Sequence, residues 1–565
     1  MKLNNRLRVL CASTLLLSGY NFAELPKGQQ KDTRPNIVVI LADDMGFSDP
    51  GCFGGEIATP NIDRLAKEGV RFTDFYNISR CCPSRASLLT GLYNQQAGIG
   101  NMTMDEHAPG YKGYLTENTV TIAEVLKEAG YNTAMAGKWH VSNTFSRPTA
   151  KEQFAWLNHQ SDYQGPFSPI EQYPVNRGFD KFYGTIWGVV DYFDPFSLVN
   201  GVTPVKSVPK NYYHTDAIND TAAAYIRQMS KEAKPFFLYV AENAAHWPLM
   251  AKPEDIEKYK NTYKVGWGKI REARYKKMVN MGMIDPSKAP LSPRWHDGLS
   301  WKDNPDTVWD ARAMAVHAAM VDCMDQGIGR ILQALEQTGQ LDNTLIIFLS
   351  DNGASPEWAA NFGPGFDRPS ETRDGRKIVY AKHKEVMAGP ETSYTSIGPR
   401  WANVSNTPYT HWKAWSYEGG VHTPMIAFWP KGLKLKKGSF NRQTGHDMDF
   451  MPTFLELARQ QYPTQYKGRQ ITPMEGVSLA PVLKGKQIKG HDALFNEHVG
   501  GRYARQGDWK IVAPNNDNKH WQLFHISEDQ TELHDLSKQH PEKVRALDSL
   551  WHQWAKRVHV FKKDQ

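Results

Sequence analysis

Four polar residues that follow apolar runs make the most suggestive set of side chains in this 565-residue sequence. Asp43 and Asp44 come directly after the run that starts at Asn36, and Asp351 and Asn352 come directly after "LIIFLS". Three carboxylates and one amide form an all-oxygen set, which suits Ca²⁺ or Mg²⁺ better than zinc. Each pair alone is also an ordinary turn sequence, so the metal-site hypothesis depends on the two pairs occurring together.

Two lysines and two histidines form a second group. Lys138 and His140 are two residues apart after a predicted strand, and alternation in an extended segment would point both side chains the same way. His246 lies in "AAHWP" and Lys413 in "HWKAWSYEGG". Lysine can hold an anion, and histidine can transfer protons near neutral pH. Taken singly, each could equally be a solvated lysine or a packed histidine.

The adjacent cysteines Cys81 and Cys82 occur in "RCCPSRASLLTG". Pro83 suits the first turn of a helix that stops at Gly91, so Cys81 is expected just before a helix N-terminus, a position that lowers a thiol pKa. Four interpretations remain open on these residues alone: a nucleophilic thiol, a redox pair, an inert buried cysteine, or a cysteine converted into another group. Adjacent cysteines are poorly placed to bond each other, and no zinc-type spacing accompanies them.

An alternation of short apolar strands and capped helices must position these residues. Strands predicted at 36–41 and 236–240, and others before Lys138 and Asp351, are each followed by one of the polar clusters. This alternation predicts an α/β fold with a large, mainly parallel sheet flanked by helices, and ligands bind beyond the carboxyl ends of such strands. The predicted architecture therefore brings the clusters together at one edge of the sheet.

Three long insertions and a change of pattern set the domain organisation. Stretches 143–215, 252–310 and 355–410 break the alternation, and loops of this length are usually either functional or disordered. After about residue 485 the sequence predicts antiparallel strands and a terminal amphipathic helix. We expect an α/β catalytic domain over residues 34–485 and a smaller C-terminal α+β domain with an antiparallel sheet over 486–565.

The charge and the N-terminus narrow the class of protein. A formal net charge of +7 favours anionic substrates, and the absence of a Lys/Arg-rich run argues against a nucleic-acid partner. Residues 1–23 are typical of a secretory signal peptide, which predicts a periplasmic or secreted protein. Arg8 stands where a lipobox needs an apolar residue, so lipoprotein anchoring at Cys11 is not expected. No later run is apolar enough to predict stable membrane insertion.

The segment "CCPSRASLLTG" fits the Cys-x-Pro-Ser-Arg signature, followed by Thr-Gly, of the type I, formylglycine-dependent sulfatases. Other segments resemble their arylsulfatase-like counterparts in the family's order, among them "NIVVILADDMGFSD", "GYNTAMAGKWH", "IIFLSDNG" and "KAWSYEGGVHTP". The resemblance extends from Arg34 into the C-terminal domain. It implies the fold of the alkaline phosphatase superfamily and a sulfuric ester hydrolase activity.

The resemblance also implies roles for single residues. Cys81 matches the cysteine that a formylglycine-generating or other maturing enzyme converts to Cα-formylglycine (3-oxoalanine), and Cys82 fills the variable position of the motif. The implied ligands of one Ca²⁺ are Asp43, Asp44, the modified Cys81, Asp351 and Asn352. The residues implied to surround the sulfate are Arg85, Lys138, His140, His246 and Lys413. His422 departs from the family's "EGGVR" pattern and is interpreted as peripheral.

The mechanism implied by the resemblance uses the hydrated aldehyde at position 81 as nucleophile. One hydroxyl attacks sulfur with Asp351 as base, while His246, with Lys413, protonates the leaving alcohol. A covalent sulfo-enzyme intermediate results. His140 then deprotonates the second hydroxyl, and sulfate leaves by elimination.

The expected function is that of an exported, calcium-dependent sulfatase that acts on a sulfated carbohydrate or polysaccharide fragment. Small aryl sulfates are the alternative substrate class. A phosphatase or phosphonate esterase on the same fold, and a catalytically silent sugar-binding relative, are further alternatives.

Overall fold

The strands and helices of a computed structural model follow the predicted alternation. The structure describes residues 32–161, 165–295, 297–382, 385–515, 517 and 519–560. The predicted signal peptide, residues 1–23, and Cys11 lie outside the described residues.

The strands are β1 (Asn36–Ala42), β2 (Val70–Phe72), β3 (Phe75–Tyr76), β4 (Asn132–Gly137), β5 (Lys181–Thr185), β6 (Leu198–Asn200), β7 (Thr203–Pro204), β8 (Phe236–Ala241), β9 (Thr344–Ser350), β10 (Val379–Tyr380), β11 (Ser393–Tyr394), β12 (Met425–Phe428), β13 (Phe440–Asn441), β14 (Gly445–His446), β15 (Gln465–Tyr466), β16 (Arg469–Gln470), β17 (Leu494–His498), β18 (Gly501–Gln506), β19 (Trp509–Ala513) and β20 (Gln522–His525). The α-helices are α1 (Pro60–Glu68), α2 (Cys81–Thr90), α3 (Ile122–Glu128), α4 (Ala150–Leu157), α5 (His214–Met229), α6 (Pro253–Glu257), α7 (Trp267–Asn280), α8 (Thr307–Gln337), α9 (Gly398–Ser405), α10 (Glu418–Val421), α11 (Phe450–Ala458), α12 (Ala480–Leu483) and α13 (Pro541–Arg557).

The large sheet has ten strands in the order β13-β2-β12-β9-β1-β8-β4-β5-β6-β7. Its five central strands, β9 to β5 in this order, run parallel, and Ile40 of β1 is paired with Val240 on one side and Phe348 on the other. Strands β12, β6 and β7 make the antiparallel pairings toward the two edges. The predicted large, mainly parallel sheet is confirmed.

Strand β1 shows why these sequences form central strands. All seven of its residues are buried, as expected for a strand covered by helices on both faces. Ile37, Val39 and Leu41 enter the core beneath α2, α3 and α11, while Val38 and Ile40 enter the opposite core beneath α1, α5 and α8. A continuous β-branched run is therefore needed, because neither face of the strand meets water.

The C-terminal region forms the expected antiparallel sheet, β17-β18-β19-β20, on which α13 packs. The predicted boundary at residue 485 stays a prediction; the sheet itself begins at Leu494. The ammonium group of Lys510 joins this region to the larger one, since its Nζ lies 2.6 Å from Glu418 and 2.9 Å from Glu532. All three side chains are buried, so the two regions share an interior ion network.

Two observations bear on the remaining expectations. None of the helices in the described ranges is both long enough and apolar enough to cross a membrane. Cys52, Cys81, Cys82 and Cys323 are buried free thiols.

Candidate active site

Four neighbouring strands of the large sheet deliver the predicted polar residues to one place. Asp351 follows β9, Asp43 follows β1, and Lys138 follows β4 directly. Between β1 and β4 lies β8, whose following loop carries His246. Parallel strands place their carboxyl ends at the same edge, and Asp44 at this edge meets Lys413, which is 369 positions away in sequence.

Helix α2 supplies Cys81 from the opposite side. The helix begins at Cys81, one residue earlier than expected, because the first N–H groups of a helix need no internal partner and Pro83 is tolerated at the third position. It ends at Thr90, where Gly91 adopts φ 71° and donates its N–H to Ser87 O. All ten residues of α2 are buried, and Cys81 is 2% exposed. The cysteine is thus fixed on a rigid element inside the protein.

The predicted metal ligands form one buried oxygen cluster. One carboxylate oxygen each from Asp43, Asp44 and Asp351 lie within 4.8 Å of one another. Asn352 Nδ2 donates to Asp44 Oδ1 at 2.7 Å, and the Asp44 N–H donates to Asp351 Oδ1 at 3.2 Å. In the part of the chain that the structure describes, the buried Asp43 Oδ1 and Asn352 Oδ1 have no hydrogen-bond partner. Free hard oxygens beside three carboxylates fit a divalent cation such as Ca²⁺.

Each of the three carboxylates also contacts a buried cationic side chain. Lys138 Nζ donates to Asp43 Oδ2 at 2.5 Å, Lys413 Nζ to Asp44 Oδ2 at 2.7 Å, and Arg85 to Asp351 Oδ2 at 3.1 Å. Burial opposes ionisation of Asp43, yet Lys138 and Arg85 hold its pKa below the ordinary value. Burial and the neighbouring Asp43 raise the pKa of Asp351.

The hydrogen bonds of His246 indicate its tautomer. Nδ1 lies 2.5 Å from the carbonyl oxygen of Trp247, so Nδ1 carries the proton and donates it. The other nitrogen, Nε2, lies 3.1 Å from Lys413 Nζ and accepts a hydrogen bond from it. Burial and the Lys413 charge lower the pKa of His246, which keeps this ring neutral. The lysine is therefore the proton-bearing member of the pair.

His140 is held differently from the expected extended segment. Its φ is 54°, so strand alternation does not apply, although its side chain and that of Lys138 both reach the site. A Cβ on Gly188 would lie 2.1 Å from the imidazole, which shows how closely this backbone covers the ring. Burial and the Lys138 charge lower the pKa of His140 to about 4.

The thiol at position 81 is influenced by Cys82 and by two buried lysines. The hydrogen bond from Cys82, together with the charges of Lys138 and Lys413, lowers the pKa of the Cys81 thiol well below its ordinary value. Cys81, Cys82 and His140 are close enough to hold a metal. However, Cys82 Sγ lies 3.4 Å and 3.3 Å from the two ring nitrogens of His140. The thiol therefore lies over the face of the imidazole and does not point at the lone pair of one nitrogen. This geometry disfavours a metal clamp.

Two charged residues that the sequence analysis did not single out complete the site. Glu357 is contacted by Arg80 at 2.7 Å and by the indole N–H of Trp247 at 2.8 Å, and it lies 3.7 Å from Lys413 Nζ. Burial opposes ionisation of Glu357, but Arg80 and Lys413 lower its pKa. Glu357 lies within an irregular insertion, and its nearness to Asp351 in sequence is the only signal that could have identified it.

All ten predicted site residues are brought together by this arrangement, whereas His422 lies apart, as interpreted. Its Nδ1 is 2.8 Å from Glu418, and its ring stacks on Tyr76 at 5.4 Å near the C-terminal sheet. The pair with Glu418 shows that histidine keeps a polar partner at this position.

Comparisons with known proteins identify the family. The family model described as "Sulfatase" matches residues 35–460, and the model "N-sulphoglucosamine sulphohydrolase, C-terminal" matches residues 410–558. An uncharacterized sulfatase of Schizosaccharomyces pombe is 32% identical over 93% of this chain and 94% of its own length. An arylsulfatase of Klebsiella aerogenes is 34% identical over 85% of this chain and 98% of its own length.

A solved structure shares the fold over nearly the whole chain. The crystal structure of Ps i-CgsB in complex with k-i-k-neocarrahexaose is 25% identical, with a TM-score of 0.62, and covers 92% of this chain and 93% of that one. With the family models, the relatives and this fold in agreement, the chain belongs to the type I sulfatases of the alkaline phosphatase-like superfamily and is a sulfuric ester hydrolase.

Proposed function

We propose that this sulfatase acts through a Cα-formylglycine made from Cys81, with one Ca²⁺, and that its natural substrate is a sulfated carbohydrate. The observation that carries the proposal is the position of Cys81, the first residue of a buried helix, in electrostatic contact with Asp43, Lys138 and Lys413. A group at this position is surrounded by the charges that an attack on a sulfate ester requires.

The charge balance of the described residues supports a requirement for a cation. The three clustered carboxylates are matched by Lys138, Lys413 and Arg85, and Glu357 is matched by Arg80. A site balanced in this way offers an incoming sulfate ester little net attraction. Asp43, Asp44, Asp351, Asn352 and residue 81 would hold a divalent cation, which would add the positive charge that the anion needs.

Side chains of the protein would supply the nucleophile, position the sulfate and transfer protons. A hydrated formylglycine at position 81 would supply a geminal diol as the nucleophile. Arg85 holds Asp351 and the carbonyl oxygen of Lys138, which fixes the groups around the sulfate. Lys413 Nζ carries a proton 3.1 Å from His246 Nε2, and we assign this pair to protonation of the leaving alcohol. His140 is neutral at neutral pH and can accept a proton during sulfate release.

Three observations support a carbohydrate leaving group. The net charge of +7 favours a polyanion, the insertions are rich in aromatic residues, and a structural relative was solved with k-i-k-neocarrahexaose. The arylsulfatase relative keeps small aryl sulfates as the second candidate. The proposal includes export to the periplasm or medium and modification of Cys81 by a maturing enzyme.

Mass analysis of the peptide that carries Cys81 tests the modification. After expression with a maturing enzyme, the peptide should have lost sulfur and gained an aldehyde, and an unmodified thiol in active protein would refute the proposal. Cys81→Ala should abolish sulfate release without lowering the melting temperature. Cys323→Ala, a buried cysteine outside the site, is the matched control.

Parallel rates on 4-nitrophenyl sulfate, 4-nitrophenyl phosphate and a panel of sulfated mono- and oligosaccharides test the substrate class. We expect the highest kcat/KM on a sulfated sugar. A higher kcat/KM on every aryl sulfate than on any sugar would favour the second candidate, and a preference for the phosphate ester would refute the proposed reaction.

A further inference from the structure

A loop of residues 357–368, here named the roof loop, contacts two tryptophans, Trp247 and Trp187, that lie next to the two histidines of the site. It starts at Glu357, which is fixed by Arg80 and Trp247. Phe362 then stacks on Trp247, the residue after His246, with ring centroids 5.7 Å apart and planes at 27°. The roof loop is therefore attached to the side of the site where the leaving alcohol is protonated.

The other end of the roof loop is attached on the His140 side. Phe366 stacks on Trp187 with centroids 6.3 Å apart and planes at 10°, and Trp187 precedes Gly188, whose backbone covers the His140 ring. The Phe366 carbonyl also accepts a hydrogen bond from Gln153 at 2.5 Å. Two aromatic contacts thus attach the loop to a residue near each histidine.

The side chains of the roof loop include two partly exposed apolar rings and one partly buried ion pair. Phe362 and Phe366 are each 38% exposed, and in most soluble proteins such rings would be buried further. Arg368 lies over the Phe362 ring at 5.9 Å and pairs with Asp367 at 2.6 Å. Burial raises the pKa of Asp367, and its pairing with Arg368 opposes that rise. The Nε of Arg368 is buried and has no hydrogen-bond partner among the described residues.

We propose that Phe362, Asp367 and Arg368 bind the alcohol part of the substrate, and that this part is a hydroxyl-rich pyranose ring. The proposal deepens the function proposed above and rests on it. An aromatic ring packs on the C–H face of a sugar, while a carboxylate accepts and a guanidinium donates hydrogen bonds to neighbouring hydroxyls. A plain aryl group would cover the Asp367–Arg368 pair without forming hydrogen bonds to it. Burial of charged groups without hydrogen bonds costs free energy.

The surroundings of the roof loop leave room for a longer sugar chain. Arg368 is followed by Pro369, which lines a cavity of about 590 Å³ together with Asp191, Asp194 and Arg373. This volume lies within the usual range of ligand pockets. The cations of this cavity are largely paired, for example Arg373 with Asp194 at 2.9 Å, so it suits neutral hydroxyls better than further sulfates.

Comparison of the two substrate classes on three variants tests the proposal. Phe362→Ala, Asp367→Asn and Arg368→Met, in the full matured chain, should each lower kcat/KM on the best sulfated sugar by about 10-fold to 100-fold, the range expected for lost hydrogen bonds to charged groups. On 4-nitrophenyl sulfate, whose leaving group has no sugar hydroxyls to pair with Asp367 or Arg368, Asp367→Asn and Arg368→Met should stay within about 3-fold of wild type, whereas Phe362→Ala also removes a stacking surface for the aryl ring and is compared on the sugar only. Equal losses on both substrates, or no loss on the sugar, would overturn the proposal.

Product binding provides a readout that does not depend on turnover. The desulfated sugar should quench or shift the tryptophan fluorescence of wild-type protein, because Trp247 lies beneath Phe362, and the three variants should bind it at least 10-fold more weakly. Unchanged binding in the variants would overturn the proposal even in a protein that hydrolyses nothing. Absence of sulfate release from every substrate, with product binding still sensitive to the variants, would instead refute the proposed reaction.

Two surface variants serve as controls. Ile170→Ala removes an apolar side chain that is 41% exposed in another insertion, and Asp492→Asn removes a carboxylate that is 82% exposed. Both should leave kcat/KM and product binding unchanged.

Discussion

Replacement of Glu357 by glutamine keeps the shape of the side chain and removes its charge. The Glu357 carboxylate lies 3.7 Å from Lys413 Nζ in a buried setting. Two unit charges at this separation interact by roughly 4 kcal/mol at an effective dielectric constant of about 20. Asp44 and His246 still contact Lys413 after the change, so only part of this interaction energy should be lost in the transition state. If about a third to two-thirds of it is lost, kcat/KM should fall by about 10-fold to 100-fold.

The assay is the steady-state rate on 4-nitrophenyl sulfate, with kcat and KM measured separately. We expect the loss mainly in kcat, since Glu357 contacts Lys413 and Arg80 and acts through them. Glu357→Asp should recover part of the rate because it restores the charge. Glu254→Gln, a change at an exposed glutamate, is the matched control.

A folded Glu357→Gln variant with kcat/KM within 2-fold of wild type would refute this reasoning. Glu357→Ala is less informative. It leaves the partly buried Arg80 without its partner, and the loss of such a pair lowers folding stability. A lowered melting temperature in the glutamine variant would likewise assign its rate loss to folding, so thermal unfolding belongs with every rate measurement.

Three further predictions follow from contacts described above. Lys510→Met should lower the free energy of unfolding by about 3–5 kcal/mol, because two buried glutamates lose their cation; thermal unfolding checks this, and a melting temperature equal to that of wild type would contradict it. Millimolar CaCl₂ should raise the melting temperature of wild-type protein treated with EDTA, since a ligand that binds only the folded state stabilises it. Asn352→Ala should reduce that increase, and an equal increase in both proteins would exclude this amide as a ligand. Gly188→Ala would place a methyl group 2.1 Å from the His140 ring, and a displaced catalytic group costs about 100-fold in kcat. Wild-type kcat in this variant would show that the His140 position is not critical.

The positions of the oxygen cluster of Asp43, Asp44 and Asp351 could be predicted because they depend on strand ends. The continuous apolar runs before Asp43 and Asp351 admit only buried parallel strands, and neighbouring parallel strands place their ends together. Strand alternation predicts that Lys138 and His140 point the same way, into the site. That assumption is wrong for His140, whose backbone is left-handed and not extended. The residue types and the position after a strand were enough to place both residues in the site, whereas the assumed extended backbone was not correct.

Glu357 and the roof loop could not be predicted for a physical reason. Their positions depend on aromatic stacking between segments far apart in sequence, such as Phe362 on Trp247 and Phe366 on Trp187. Irregular insertions have no periodicity that would show which face of the chain is turned inward. The start of α2 was missed by one residue because Pro83 fits each of the first positions of a helix about equally well.

The burial of α2 imposes an order in time on the proposed maturation. Cys81 is 2% exposed and lies on a helix whose residues are all buried. A maturing enzyme could therefore not bind this segment in the folded protein. On the proposed mechanism, modification and folding would therefore compete for each newly made chain. A chain that folded first would keep its thiol, and one modified first would carry the proposed formylglycine. The specific activity of a preparation would then be set by the fraction of chains modified before they fold.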